Sequence, residues 1–426
     1  MKEMFKTEKG ECFVDGSYGM PWFGKILTLP ESHLDVAGTK NVSAAEGVFL
    51  DYLAKFAESC EAIMIEPRPE LSKLSDYVPG KSIEEIRERY GLEKVVKLAS
   101  NENPLGPSPK AVAAFMNVVH SLHLYPRGNA PKLIDALAAK YGVPADEIVI
   151  GNGSDEIIDM VGKAFIRQGD NCIGIRPTFS VYKFTTLSNG ADYVSVCETE
   201  KKPPLGDFLK AINGKTRVIF ICNPNNPTGY YYTEKEIVEF MRRVPKRVLV
   251  FMDEAYCEFS TAADFPKLVP MLGEFPNLML NHTFSKIYGL AGLRIGYAIA
   301  SEQVIREIWK IKPPFDVNQA AQVAALAALA DDDHIKNTLA MNSAGIKFLT
   351  ESLGKMGYRV LPTEANFVCA HIGPRAKDLL QYLESHGMIV RGLTSFGLPE
   401  WIRVTVGKRD ENEFFLALVG EWSRNV

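Results

Sequence analysis

From Glu147 onward the chain alternates short, continuous apolar runs with stretches whose apolar residues recur at helical spacing. EIVIGNG (Glu147–Gly153) predicts a strand running into a turn. In Ser154–Ile166, residues Ile157, Ile158, Val161 and Phe165 fall on one helical face. NCIGI (Asn171–Ile175) predicts the next strand, and Phe179–Leu187 a helix. RVIFIC (Arg217–Cys222), RVLVFMD (Arg247–Asp253), LMLNHTF (Leu278–Phe284) and RIGYAIA (Arg294–Ala300) predict further strands, with a helix at Glu234–Arg242. Strands that are apolar on both faces and separated by helices predict a mostly parallel sheet covered on both sides. Such sheets bind ligands beyond the carboxyl ends of their strands.

The texture changes toward the C-terminus. Asp332–Leu353 reads as one long helix. NFVCAHI, the helix Ala376–Ser385, MIVRGL and WIRVTVG then read as a smaller α/β unit. Pro313 and Pro314 precede another long helix and mark a bend between units. The front of the chain shows little strand pattern, although Phe49, Leu53, Phe56 and Cys60 fall at helical spacing. Residues 1–63 are therefore read as an N-terminal extension, either a loosely attached tail or an extra helix packed on the body. Residues 64–110 and 331–426 are assigned to a small domain, and 111–330 to a large one.

At about 150 residues per domain, 426 residues suggest about two or three domains. Lys plus Arg is 48 against 52 Asp plus Glu, a net charge of −4, which argues against a protein built to coat nucleic acid. No run approaches the roughly 18 apolar residues of a membrane span. The longest, Ala320–Ala330, is broken by Gln322. The opening MKEMFKTEKGECF lacks the apolar core of a signal peptide. The 7 cysteines are scattered and form no C-x-x-C pair, and the 7 histidines show no ligand spacing. The expectation is a cytoplasmic protein with neither a disulfide framework nor a metal site.

Four constellations carry chemistry. Gly151-Asn152-Gly153-Ser154-Asp155-Glu156 turns sharply after a strand and opens a helix, whose free N–H groups favour an anion. Alone, it equally serves a capped helix after a tight turn, and Glu156 stands where a dinucleotide fingerprint needs glycine. Asn223-Pro224-Asn225-Asn226-Pro227-Thr228-Gly229 projects adjacent amides from a strand end. Asp253-Glu254-Ala255-Tyr256 puts carboxylates at another, where they need a partner, whether a structural ion pair or a ligand. Thr283-Phe284-Ser285-Lys286 follows a third strand, with Gly289, Gly292 and Arg294 beyond it. A lone lysine is usually solvated. A partly desolvated one can lose its proton and form a Schiff base with a carbonyl.

Together these groups ask for one ligand with an aldehyde, a phosphate, a phenolic oxygen and a basic ring nitrogen. That ligand is pyridoxal phosphate. NPNNPTG, DEAY and TFSKIYGLAGLRIG, in this order, resemble the motifs of the fold-type I, class I/II aminotransferases. KLASNENPLGPSP, LYPRGNAPKL, GNGSDEII, RPTFSVY, IVRGL and IRVTVG resemble their histidinol-phosphate aminotransferase branch. The resemblance runs from about Met64 to the C-terminus and implies an α/β fold of the PLP-dependent transferase type I. This is a large domain with a mostly parallel central sheet plus a smaller α/β domain.

The resemblance also implies roles. Lys286 matches the lysine that holds the cofactor aldehyde and shuttles the proton, and Asp253 the partner of the ring nitrogen. Asn226 and Tyr256 match the pair on the phenolic oxygen, and Phe179 the aromatic stacked on the ring. Many relatives have Tyr at that place, so Phe179 keeps the stacking but lacks a hydroxyl. Ser154, Asp155, Thr283, Ser285 and Arg294 lie where phosphate contacts are expected. Tyr125 matches a tyrosine that reaches the neighbouring subunit's site, which implies a homodimer with shared active sites. Arg403 and Arg391 match arginines that take the substrate carboxylate or phosphate, and Asn103 lies in a segment that covers the substrate.

The implied reaction is ping-pong transamination between L-histidinol phosphate plus 2-oxoglutarate and imidazole acetol phosphate plus L-glutamate, a step of histidine biosynthesis. Two arginines would let one pocket accept a carboxylate and a phosphate in turn. The cofactor motifs do not separate this activity from an aromatic aminotransferase or a decarboxylase of a phosphorylated amino acid. A silent binding protein on the same scaffold fits less well, because Lys286, Asp253, Asn226, Tyr256 and Arg294 are all present.

Overall fold

The computed structural model describes residues 66–74 and 80–425, together with the backbone of β1 (Met4–Thr7) and β2 (Gly10–Phe13). The helix candidate Phe49–Cys60 lies outside the described residues. Contacts divide the chain into Met1–Pro67 and Arg68–Val426. In the first unit β1 and β2 pair antiparallel. The sequence reading found no strand there, because four-residue runs are at the lower limit of what a two-residue period reveals.

The described residues of the second unit form twelve strands: β3 (Val96–Leu98), β4 (Ile148–Gly151), β5 (Asn171–Gly174), β6 (Asp192–Ser195), β7 (Thr216–Cys222), β8 (Leu249–Asp253), β9 (Leu278–Thr283), β10 (Gly296–Ala300), β11 (Arg359–Leu361), β12 (Phe367–His371), β13 (Met388–Gly392) and β14 (Trp401–Thr405). They form two sheets, a seven-stranded one in the order β4-β10-β9-β8-β7-β5-β6 and a five-stranded one in the order β11-β12-β14-β13-β3.

The seven-stranded sheet is parallel except for β10, which runs antiparallel to both β4 and β9. The reason lies in the connection. Parallel pairing needs a crossover, usually a helix. The β9–β10 segment holds only the short turn Ala291–Leu293, so the chain must return antiparallel. The apolar strands serve both faces, as their composition predicts. Val250 and Met252 pack into one core with the helix Glu234–Met241, while Leu249 and Phe251 pack on the other side with Ser154–Phe165. Each such side chain contributes about 1.5–3 kcal/mol when fully buried.

The five-stranded sheet packs its own core, Leu349, Val368, Leu383, Val404 and Phe415 among it, against the helices Asp332–Lys355, Ala376–Ser385 and Arg409–Arg424. β3 joins this sheet by pairing parallel with β13, so Val96–Leu98 is carried to the C-terminal part of the chain. The segment that follows β3 then crosses to the strand ends of the larger sheet, where it contacts Tyr256, Lys286 and Ile287.

Candidate active site

Strand register aligns the polar groups at one end of the seven-stranded sheet. Cys222, Asp253 and Asn281 are successive neighbours on β7, β8 and β9. Gly151, Gly296 and Thr283 are successive neighbours on β4, β10 and β9.

Asp253 ends β8 with its carboxylate buried. Oδ1 accepts from Asn281 Nδ2 at 3.1 Å and from the Ala255 N–H at 3.2 Å, and Oδ2 accepts from the Tyr182 hydroxyl at 2.5 Å. Among the described residues no lysine, arginine or histidine pairs with it. Burial pushes the Asp253 pKa up, and these three neutral donors oppose that rise.

Lys286 lies just beyond β9. Its ammonium donates to the Ser100 carbonyl at 3.0 Å and lies 5.8 Å from the centre of the Tyr256 ring. Burial, reinforced by the Arg403 charge, pulls its pKa down to about 8. A free amine, the form that attacks a carbonyl, is therefore accessible near neutral pH. The buried Tyr256 hydroxyl accepts from Asn101 Nδ2 at 2.9 Å, which leaves its own proton free for another acceptor. Burial pushes the Tyr256 pKa up, so it stays a donor.

An anion cup lies at the start of the helix Ser154–Phe165. No side chain caps that terminus, and its first residue position follows Gly153 at φ 84°. A Cβ on Gly153 would lie 2.6 Å from Arg294 Nη2, so only glycine lets the guanidinium close over the helix start. Arg294 Nη2 also reaches the Asp155 carboxylate at 3.3 Å. Thr283 and Ser285 are buried beside this cup, with the Ser285 N–H bonded to Thr283 Oγ1 at 3.0 Å.

Arg391 and Arg403 are directly opposed in register on β13 and β14 and so share one face of the five-stranded sheet. Arg403 is buried; it donates to Asn226 Oδ1 and, at 2.6 Å, to the Ala99 carbonyl, while its Nε is buried without a partner. Burial lowers its pKa to about 10, so it remains a cation at neutral pH. Arg391 is partly exposed and reaches Ser395 Oγ at 3.4 Å. Phe179 packs edge-on to Tyr182, 5.7 Å between centroids. Tyr125 is 83 % exposed and stacks on Phe315 at 4.8 Å. Asn103 differs from a free ligand group: both its amide hydrogens are spent on the Ile287 carbonyl and Thr338 Oγ1, and its oxygen on the Leu105 N–H.

Sequence reasoning missed Tyr182, Asn281, Ser100 and Asn101. Asn281 had a readable signal, a polar residue inside the apolar run LMLNHTF. Tyr182 follows Phe179 by three positions in RPTFSVY. Asn101 had none. It adopts φ 57°, accepts from Asn366 Nδ2 on its carbonyl at 3.0 Å and donates its N–H to Thr405 Oγ1 at 2.9 Å. Behind Asp253, the donor atoms of Glu254, Cys257 and His282 cluster within 4.8 Å of one another. Glu254 faces His282 Nε2 at 3.3 Å and Cys257 faces Nδ1 at 3.7 Å, so the imidazole cannot turn one nitrogen to a point shared by all three.

The residues present fit a phosphate-bearing aldehyde with a basic ring nitrogen. The helix start at Gly153, which no side chain caps and over which Arg294 closes, suits a phosphate, and the Asp253 carboxylate, which meets no cation among the described residues, suits a protonated ring nitrogen. Residues 93–417 match the family model for aminotransferase class I and II. The chain belongs to that family. Its likeness extends to the histidinol-phosphate aminotransferases. The enzyme of that name from Geobacillus sp. (strain WCH70) is 42 % identical over 349 residues, which is 82 % of this chain and 96 % of the relative. The solved histidinol-phosphate aminotransferase from Sinorhizobium meliloti, in complex with pyridoxal-5'-phosphate, superposes with a TM-score of 0.78 at 25 % identity, over 86 % of this chain and 99 % of that one. The fold is shared more widely. L-threonine-O-3-phosphate decarboxylase from Porphyromonas gingivalis matches with a TM-score of 0.68 at 22 % identity, over 78 % of this chain and 100 % of that one.

Proposed function

We propose that this protein is a pyridoxal-phosphate-dependent aminotransferase interconverting L-histidinol phosphate plus 2-oxoglutarate and imidazole acetol phosphate plus L-glutamate, in histidine biosynthesis. One observation carries the reading: a half-buried lysine with a pKa near 8, just beyond the strand that pairs with the one ending in the buried Asp253 carboxylate, and close enough to the Arg403 cation to feel its charge. When bound, the cofactor supplies an electron sink that stabilises negative charge on the substrate carbon bearing the amino group.

This chain's residues do the rest. Lys286 Nζ would hold the cofactor aldehyde and, once the substrate's amino group had taken its place there, the freed amine would carry the proton taken from that carbon. Asp253 holds a proton on the ring nitrogen, Asn226 Nδ2 and the Tyr256 hydroxyl hold the phenolic oxygen, and Phe179 covers one ring face. The helix start at Ser154 and Asp155, with Thr283, Ser285 and Arg294, holds the cofactor phosphate. Arg403 exchanges its carbonyl partners for the substrate carboxylate or phosphate, with Arg391 beside it; an arginine fork suits both anions. Asn103 acts by pinning the segment that covers the substrate.

The segment after β3 leaves Leu105, Val112, Met116, Leu122, Leu124 and Tyr125 exposed. A run of large apolar side chains on a surface marks an interaction site. We assign it to a second copy of this chain, with Tyr125 reaching the partner's site. Sedimentation of the loaded protein as a dimer checks this, and a monomer contradicts it. Residues 64–110 with 331–426 act as the small domain and 111–330 as the large, and we place the enzyme in the cytoplasm.

A half-reaction screen tests the substrate. Histidinol phosphate, aromatic amino acids and phosphothreonine are each added to the loaded protein, and the loss of the bound-aldehyde absorbance is followed. Fast conversion by histidinol phosphate supports the proposal. Conversion by an aromatic amino acid alone, or carbon dioxide release from phosphothreonine, would replace it with one of the two related activities.

A further inference from the structure

Asp253 has a feature that its place at the strand end does not require. Two donors, Asn281 Nδ2 and the Ala255 N–H, serve Oδ1, and among the described residues the Tyr182 hydroxyl alone serves Oδ2. Tyr182 is wholly buried, on the helix Val181–Ser188. Its ring stacks on Phe220, 5.0 Å between centroids and 8° from parallel, with Phe251 edge-on at 6.4 Å. The ring therefore cannot swing aside, and the hydroxyl is fixed at the carboxylate. For packing alone a phenylalanine would serve, without burying a polar atom.

The charges around Asp253 make this contact matter. The titratable groups that face it are Tyr182, Cys222 on β7, Asp155 on the helix Ser154–Phe165, and Glu254 and Tyr256 just after β8. None is a cation. Burial and the Asp155 charge both favour protonating Asp253, and among the described residues only the hydrogen-bond donors Tyr182, Asn281 and Ala255 favour its ionised form. Burial and the Asp253 charge push the Tyr182 pKa far up, so its hydroxyl stays protonated and donates.

We propose that Tyr182 is a positioning residue for the cofactor's ring nitrogen: by donating to Asp253 Oδ2 it keeps that carboxylate ionised and aimed. This rests on the reading of Asp253 given above. Without the hydroxyl, Asp253 takes up a proton more readily and the ring nitrogen loses its anionic partner. A hydrogen bond to a charged group is worth roughly tenfold or more in the equilibrium that it biases.

The test uses Tyr182→Phe, which keeps the stacked ring, with full-length protein loaded with ¹⁵N-labelled pyridoxal phosphate. The nitrogen chemical shift is followed against pH. In wild type the ring nitrogen should be protonated at neutral pH. In Tyr182→Phe it should release its proton about one to two pH units lower. Reconstitution gives a second readout. Tyr182→Phe should bind pyridoxal phosphate about tenfold more weakly than wild type does. It should bind the analogue with carbon in place of the ring nitrogen equally well. Equal loss of affinity for both ligands, or unchanged titration and affinity, would overturn the inference. An unprotonated nitrogen in wild type would overturn the Asp253 pairing itself, and this inference with it.

Discussion

The two sides of the site are built in opposite ways. At the end of the seven-stranded sheet, the groups assigned to the cofactor come from short motifs that each follow a strand, and neutral donors surround the buried Asp253 carboxylate. On the five-stranded sheet the buried group is a cation, Arg403, held by the neutral oxygens of Asn226 and Ala99. Neither charge has an ion-pair partner inside the protein among the described residues. A buried unpaired charge is costly. Each side therefore gains when a ligand group of opposite charge arrives, a ring N–H at Asp253 and a carboxylate or phosphate at Arg403. Lys286 lies where the two sides meet, hydrogen-bonded to the strap that leads out of β3.

That comparison can be broken by substitution. The largest effect belongs to the meeting point. Lys286→Ala should abolish turnover with every substrate while thermal unfolding stays near that of wild type, and residual transamination above background would remove Lys286 from its role. On the cofactor side, Asp253→Asn keeps the shape but not the charge. It should lower kcat by at least about a hundredfold with glutamate and histidinol phosphate alike, the scale of one preorganised electrostatic contact. A loss confined to one substrate would move Asp253 to the substrate side.

Smaller effects sharpen the picture. On the substrate side, Arg391→Ala should raise KM for histidinol phosphate about tenfold or more, the worth of one charge-assisted hydrogen bond. kcat and the glutamate half-reaction should change little. If both substrates suffer equally, Arg391 does not read the phosphate. The Lys286 pKa near 8 adds a pH signature. Only the neutral amine attacks, so capture of pyridoxal phosphate by cofactor-free protein should slow about tenfold per pH unit below that value. Above it the rate should be flat. Stopped-flow mixing that instead finds the rate still climbing to pH 10 would point to a solvated lysine.

The same contrast decides what the sequence disclosed. The cofactor side was legible because its residues form contiguous motifs after apolar strands; continuous apolar runs disclose β4, β5, β7, β8, β9 and β10, and helical spacing discloses several of the helices between them. β6 was missed because it is a half-exposed edge strand. The reversed direction of β10 depends on a connection length rather than on a pattern. The strap was illegible for another reason. Asn101 bonds across 155, 265 and 304 residues, to Tyr256, Asn366 and Thr405, and local periodicity carries no information over such distances. Asn103 was read as part of the substrate cover, and only its three partners reveal a pin.

The central claim is that one half-buried lysine, Lys286, holds the cofactor at the junction of the two sides. Borohydride reduction of the loaded protein, followed by digestion and peptide mapping, tests it most directly. The account predicts the reduced cofactor on the peptide containing Lys286 and on no other. Label on any other lysine, or a protein that binds the cofactor and takes no label, would contradict it.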